Sequence, residues 1–219
     1  MRCHIFDLDH TLLRANCSYH FGKFLSKRGL FPFWKALFSS CIYLLYQRGN
    51  WISAKQAHQW IASLCLSKLL LREIQTCVKH FLKQSFHFLL NSSLVKILQS
   101  SQERGEYVLL LSNSPSFLVG PIAQKLGIFH WYATNYRWNE NRFSHVSSIC
   151  EGEEKVRRVI QFAKKHQLSV ETMTAYTDSD RDLPLLELVG TPIAVDPTPP
   201  LYSICRERQW QILISSSSR

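Results

Sequence analysis

None of the seven cysteines (Cys3, Cys17, Cys41, Cys65, Cys77, Cys150 and Cys205) forms a Cys-x-x-Cys pair. An odd number at wide spacing excludes a disulfide framework and a small zinc module. Reduced thiols in a cytoplasmic protein are the expectation. No run of five Lys or Arg occurs, and no aromatic string of the RNA-binding type, although the net charge is +10. Nucleic acid is therefore not an expected partner. The scattered positive charge either attracts smaller anions and anionic surfaces or serves solubility alone. The most apolar stretch, Phe31–Tyr46, is short for a membrane span and is broken by Lys35, Ser39 and Ser40; it reads as a buried or interfacial helix. The opening MRCHIFDLDHTLL holds two carboxylates within nine residues, so no secretory leader is expected. Repeats and internal low-complexity tracts are lacking. Apolar character is plentiful: 46% of the 219 residues are hydrophobic and 12% aromatic. That is enough to offset the entropy of ordering around one sizeable core, with or without a small accessory module.

Glycine and proline are scarce between Asn16 and Leu90, where apolar residues recur at helical spacing. Leu66, Leu69, Leu70 and Ile74 form one stripe, continued by Val78, Phe81, Leu82 and Phe86. This zone predicts several helices and no strands, with Gly29 and Gly49 as helix ends. Outside it, strands and helices alternate. Cys3–Phe6 reads as a buried strand ending in acids. Leu94, Val95 and Leu98 mark a helix closed near Gly105. Tyr107–Leu111 is a continuous apolar run typical of a parallel strand, followed by Ser114 as N-cap and Pro115 at the first helical position, with that helix ending near Gly127. Ala133–Val146 alternates around Asn139-Glu140-Asn141 and predicts a hairpin. Val156, Val159, Ile160 and Ala163 mark another helix, and residues 174–177 and 192–195 two more strands. The alternation implies a parallel α/β sheet; residues 215–219 read as a frayed end.

Four places carry chemistry. Asp7 and Asp9 stand two apart at the end of the first strand, on one side if the chain stays extended. One carboxylate can attack phosphorus while the other moves the proton. Ser112 and Asn113 follow the second apolar run, where a helix N-terminus would favour an anion; the same pattern serves ordinary capping by Ser112 or Ser114. Lys155 opens a helix and could cancel phosphoryl charge, or lie on the surface. Asp178, Asp180 and Asp182 place three acids within five residues, a set suited to a hard cation such as Mg²⁺ or to a solvated loop.

In this order the four places resemble the haloacid dehalogenase superfamily, in its phosphoserine-phosphatase-like subclass with a helical cap. Asp7, Asp9 and Thr11 match the first motif, Ser112 the second, Lys155 the third, and Asp178 with Asp182 the fourth. The resemblance spans nearly the whole chain. It implies a Rossmann-like α/β core of parallel strands with helices on both faces, from residues 1–15 and 91–219. An all-helical cap, residues 16–90, is inserted after the first strand. It also implies an Mg²⁺-dependent phosphatase: Asp7 as nucleophile, Asp9 as general acid and base, and Asp7, the Asp9 carbonyl and Asp178 as metal ligands. Ser112, Asn113 and Lys155 would bind phosphate, and Thr11 and Asp182 would support. His10 and Thr177 stand where the family commonly has glycine, and Asn16 stands where phosphoserine phosphatases place a glutamate.

The expected substrate is a small phosphorylated metabolite. Two alternatives stay open: a lipid phosphate at a membrane surface, or a silent anion- or RNA-binding module of the same fold. The first draws on the aromatic residues Phe31, Phe33, Trp34, Phe38, Tyr43, Tyr46, Trp51 and Trp60 among Lys23, Lys27, Arg28, Lys35 and Arg48. These suit peripheral contact with an anionic membrane, or a packed helical core with basic outer faces.

Overall fold

Seven strands form one sheet in the computed structural model, which describes residues 2–30, 32–49 and 51–215, with backbone alone at 33, 36 and 47–49. The strands are β1 (Cys3–Asp7), β2 (Tyr107–Pro115), β3 (His130–Asn139), β4 (Arg142–Ser148), β5 (Met173–Thr177), β6 (Thr191–Val195) and β7 (Gln211–Leu213), in the order β4-β3-β2-β1-β5-β6-β7. Every pairing is parallel except β3 with β4. Those two make the expected hairpin, turned at Glu140 (φ 48°) and Asn141 (φ 62°), the paired left-handed residues of a tight two-residue turn.

The helices are α1 (Cys17–Lys27), α2 (Phe33–Gly49), α3 (Ala54–Leu66), α4 (Leu71–Leu89), α5 (Ser92–Glu103), α6 (Ser116–Lys125), α7 (Glu153–His166), α8 (Leu183–Leu188) and α9 (Pro199–Arg208). Strand alternation sends Phe6, Val108 and Leu110 to one face, against α5, α6 and also α1 and α4. Cys3, Ile5, Leu109 and Leu111 go to the other, against α7, α8 and α9. Both faces are thus covered, which is why these strands read as unbroken apolar runs.

Helices α1 to α4 leave and rejoin the sheet through a narrow neck. Arg14 N–H donates to the Leu89 carbonyl at 2.7 Å and Asn91 N–H to the Leu12 carbonyl at 2.9 Å. Helices α2 and α3 share a small cluster of Ile42, Tyr46 and Ala57. The hairpin props the insertion from below: Leu71 N–H donates to the Asn141 carbonyl at 2.7 Å, and Val146 N–H to Gln59 Oε1 at 2.9 Å.

Several local readings change. The stripe from Leu66 to Phe86 is two helices, because Leu69 and Leu70 lie in the link between α3 and α4. Strand β2 runs on to Pro115, so Pro115 is the N-cap of α6 and Ser114 is a strand residue. Ile160 is exposed, and the buried apolar face of α7 is Val159, Phe162 and Ala163. The readings of Phe31, Phe33 and Arg48 as surface groups, and of residues 216–219 as frayed, fall outside the described residues and side chains.

Candidate active site

The pairing of β1 with its neighbours β2 and β5 stops at Asp7 and Phe6, and three of the four sequence motifs sit there, with the fourth on the start of α7. Asp7 closes β1 opposite Leu111, and Phe6 pairs with Tyr176. Ser112 and Thr177 are therefore each one residue past those partners. The carboxyl ends of parallel strands are where an open α/β sheet forms its crevice. Strand pairing stops at Asp7, so alternation along β1 does not set the relation of Asp7 to Asp9. A wide turn over Leu8–Leu12 does, with His10 left-handed at φ 60°.

Lys155, third in α7, is buried and bridges two carboxylates: Nζ donates to Asp7 Oδ1 at 2.6 Å and to Asp182 Oδ2 at 2.7 Å. Thr177 Oγ1 donates to the same Asp182 oxygen at 2.7 Å. Asp9 accepts from Ser114 Oγ at 2.6 Å and from the Cys17 N–H, at the start of α1, at 2.6 Å. Burial pushes the Asp7 carboxyl up to about 7, against the pull of Lys155. Burial, then the charges of Asp7 and Asp182, push Asp178 up to about 8. For Lys155 burial disfavours the ammonium, yet Asp182 and Asp7 together hold it well above the ordinary lysine range.

One ammonium thus faces Asp7, Asp178 and Asp182. The surplus negative charge on oxygen donors fits a divalent hard cation. Among the described residues no three carboxylate, imidazole or thiolate side chains converge into a preformed cage. Mg²⁺ suits such a site, since it takes one or two carboxylates and completes its octahedron with water and substrate oxygens.

Asp7, Asp9, Asn113, Lys155, Asp178 and Asp182 all line one cavity of about 710 Å³. Ser112 and Thr11 are buried and are not among its lining residues. Ser112 Oγ accepts from Ser114 N–H at 3.0 Å, and the Thr11 carbonyl accepts from Asn91 Nδ2 at 3.0 Å. Asp180, the third acid of its segment, turns away to accept from Thr198 Oγ1 at 2.9 Å. Asn16 caps α1, its side chain accepting from Tyr19 N–H at 2.8 Å.

Sequence reasoning missed a group that joins the insertion to the sheet. The Tyr46 hydroxyl, from α2, donates to Glu151 Oε1, which also accepts from Asn113 Nδ2 at 3.2 Å. Arg181 lies over the Tyr46 ring at 4.1 Å, donates to the Tyr46 carbonyl at 3.1 Å, and stands 3.8 Å from Glu151. Asn113 is steadied by Thr134 Oγ1, which donates to its Oδ1 at 3.0 Å. Glu151 and Arg181 are each adjacent to a motif in the sequence, which is the only signal that would have found them.

Residues 5–187 match the model of the haloacid dehalogenase-like hydrolase family. A phosphoserine phosphatase of Mycobacterium tuberculosis, SerB1, is 27% identical over 212 residues, covering 94% of this chain and 70% of its own length. A histidinol-phosphatase of Neisseria meningitidis is 24% identical over 216 residues, covering 95% of this chain and 96% of its own. A solved structure of a Bordetella pertussis protein of unknown function superposes with a TM-score of 0.87 at 29% identity, covering 97% of each chain.

Proposed function

We propose a reaction for a chain that belongs to the haloacid dehalogenase-like hydrolases: Mg²⁺-dependent hydrolysis of a phosphomonoester through a phospho-aspartate on Asp7. That the chain is a phosphoric monoester hydrolase rests on the family match together with relatives named as phosphatases. The observation that carries the finer reading is the buried Asp7 carboxylate, bound to Lys155 at 2.6 Å, with Asp9 held separately by Ser114 and the start of α1.

Asp7 attacks phosphorus, and the bond from phosphorus to the substrate alcohol breaks. Asp9 gives its proton to the departing oxygen. Water then attacks the acyl phosphate, Asp9 takes a proton from it, and inorganic phosphate leaves with Asp7 restored. Lys155 offsets the charge of the phosphoryl oxygens, which Ser112 and Asn113 also bind on this reading. Asp182, oriented by Thr177, fixes the lysine. Asp7, the Asp9 carbonyl and Asp178 would hold Mg²⁺, which supplies charge neutralisation for an anionic nucleophile meeting an anionic ester. The substrate on this reading is a phosphorylated metabolite.

The test is hydrolysis of an aryl phosphate by wild type and Asp7→Asn, with and without Mg²⁺. Turnover that needs Mg²⁺ and falls by at least ~10³-fold in the variant is expected. Equal rates in the two proteins would overturn the assignment of Asp7.

A second reading places the insertion on an anionic membrane. Trp34, Leu37, Phe38, Leu44 and Leu45 of α2, with Trp51 beyond it, are exposed, an apolar display unusual for a surface helix. Among the described residues no helix is long and apolar enough to cross a membrane, so contact would be peripheral. Sedimentation with anionic liposomes at low salt tests it; protein left in the supernatant rules it out.

A further inference from the structure

The cavity that contains Asp7 is lined by many residues besides the carboxylates. Three helices bring apolar side chains to it: Phe21 and Leu25 of α1, Ile61 and Leu66 of α3, and Phe117 and Leu118 of α6. Its volume of about 710 Å³ lies in the range, roughly 300–1,000 Å³, that takes a drug-sized molecule. The phosphate of a small amino-acid ester would leave most of that space to water against hydrocarbon, an unfavourable arrangement.

Charge is arranged in the same sense. Apart from the carboxylate–lysine cluster, the Asp, Glu, Lys and Arg residues lining the cavity among the described residues are Glu151, Arg181 and Lys23. Glu151 and Arg181 face each other and are engaged by Tyr46 and Asn113. Lys23 is exposed, with its ammonium 5.3 Å from the centre of the Tyr19 ring. Also in the lining, His58 Nδ1 and the Tyr136 hydroxyl share a hydrogen bond of 2.9 Å. Burial lowers His58 to about 4, so the imidazole is neutral at pH 7 and this pair adds polarity without charge.

We propose that the leaving group is a hydrophobic, uncharged alcohol whose carbon skeleton fills the cavity between α1, α3 and α6, making the substrate an amphiphilic phosphomonoester. The inference rests on Asp7 as the nucleophile for turnover, but not for binding.

Initial rates on methyl, butyl, hexyl and octyl phosphate, each below its micelle-forming concentration, test it beside phosphoserine. Burying one methylene favours binding about fourfold, so kcat/KM is expected to rise with chain length, by roughly 100-fold or more from methyl to octyl. A flat series, or phosphoserine as the better substrate, overturns the inference while leaving the reaction intact. If no ester is turned over, the reaction has failed instead, and calorimetric binding of the same alkyl phosphates to Asp7→Asn decides the inference: affinity rising with length supports it and equal affinities overturn it. Ile61→Trp, which fills the cavity, is expected to cut the octyl-to-methyl ratio about tenfold; Ile61→Phe is the milder substitute should it not fold, and a ratio unchanged in folded protein counts against the site. Phosphatidic acid in vesicles, compared with dissolved octyl phosphate, separates the sources: whichever is turned over faster identifies a lipid surface or a free ester as the origin of the same chemistry.

Discussion

Thr177 shows how a single hydroxyl can serve the site without touching substrate. It donates to the buried Asp182 oxygen that also receives Lys155. In Thr177→Val that oxygen loses one of its two donors. The expected results are about 1–3 kcal/mol of lost stability in chemical denaturation and roughly tenfold lower kcat, with Thr177→Ser restoring both. A kcat equal to wild type in the valine variant would remove the positioning role. His10 makes the opposite case. Its φ of 60° costs an L-residue about 1–2 kcal/mol, and glycine gives back part of that relief through its freer unfolded chain. His10→Gly is therefore expected to raise Tm by about 1–3 °C, read by calorimetry.

At the scale of elements, α2 meets the sheet through Tyr46, which touches both the loop before α7 and the loop after β5. Tyr46→Phe keeps the ring under Arg181 but removes the hydroxyl from Glu151. It should lower kcat/KM roughly tenfold and, through the lost hydrogen bond, lower Tm by about 2–4 °C, which steady-state kinetics and a thermal melt would check. That contact was not legible in the sequence: it joins residues 105 apart in the chain, and no spacing rule reaches so far. Asp7 was legible because it abuts an apolar run that ends in acids, and Asp178 because it stands in an acidic cluster after another; Lys155 is one of 26 Lys and Arg residues, and only the order of the four motifs in the family resemblance picked it out. Pro115 misled for a local reason: its fixed φ suits the end of a strand as well as the start of a helix, and pairing with Thr134 on β3 decided for the strand. Strand β7 escaped notice because three residues at the sheet edge carry too little pattern.

For the molecule as a whole, the central carboxylates set a dependence on pH. Asp7 and Asp178 hold their protons up to about 7 and 8 when folded, where the ordinary carboxyl value is 3.8. Between those values the folded metal-free protein binds more protons than the unfolded chain, so its stability falls as pH rises from about 4 to 8. On the proposed reading Mg²⁺ would supply the missing positive charge, so adding it is expected to raise Tm more at pH 8 than at pH 6; equal shifts in a thermal melt would argue against those carboxylates as ligands. The neck at Arg14 and Leu89 has a different kind of consequence. The polypeptide leaves and returns at adjacent hydrogen-bonded rungs, so the register of β1 against β2 and β5 does not depend on how many residues lie between. Segments of that excursion beyond α1 can lengthen, shorten or be exchanged by recombination while Asp7 keeps its place at the end of β1, and descent can revise what is recognised separately from what is done to it.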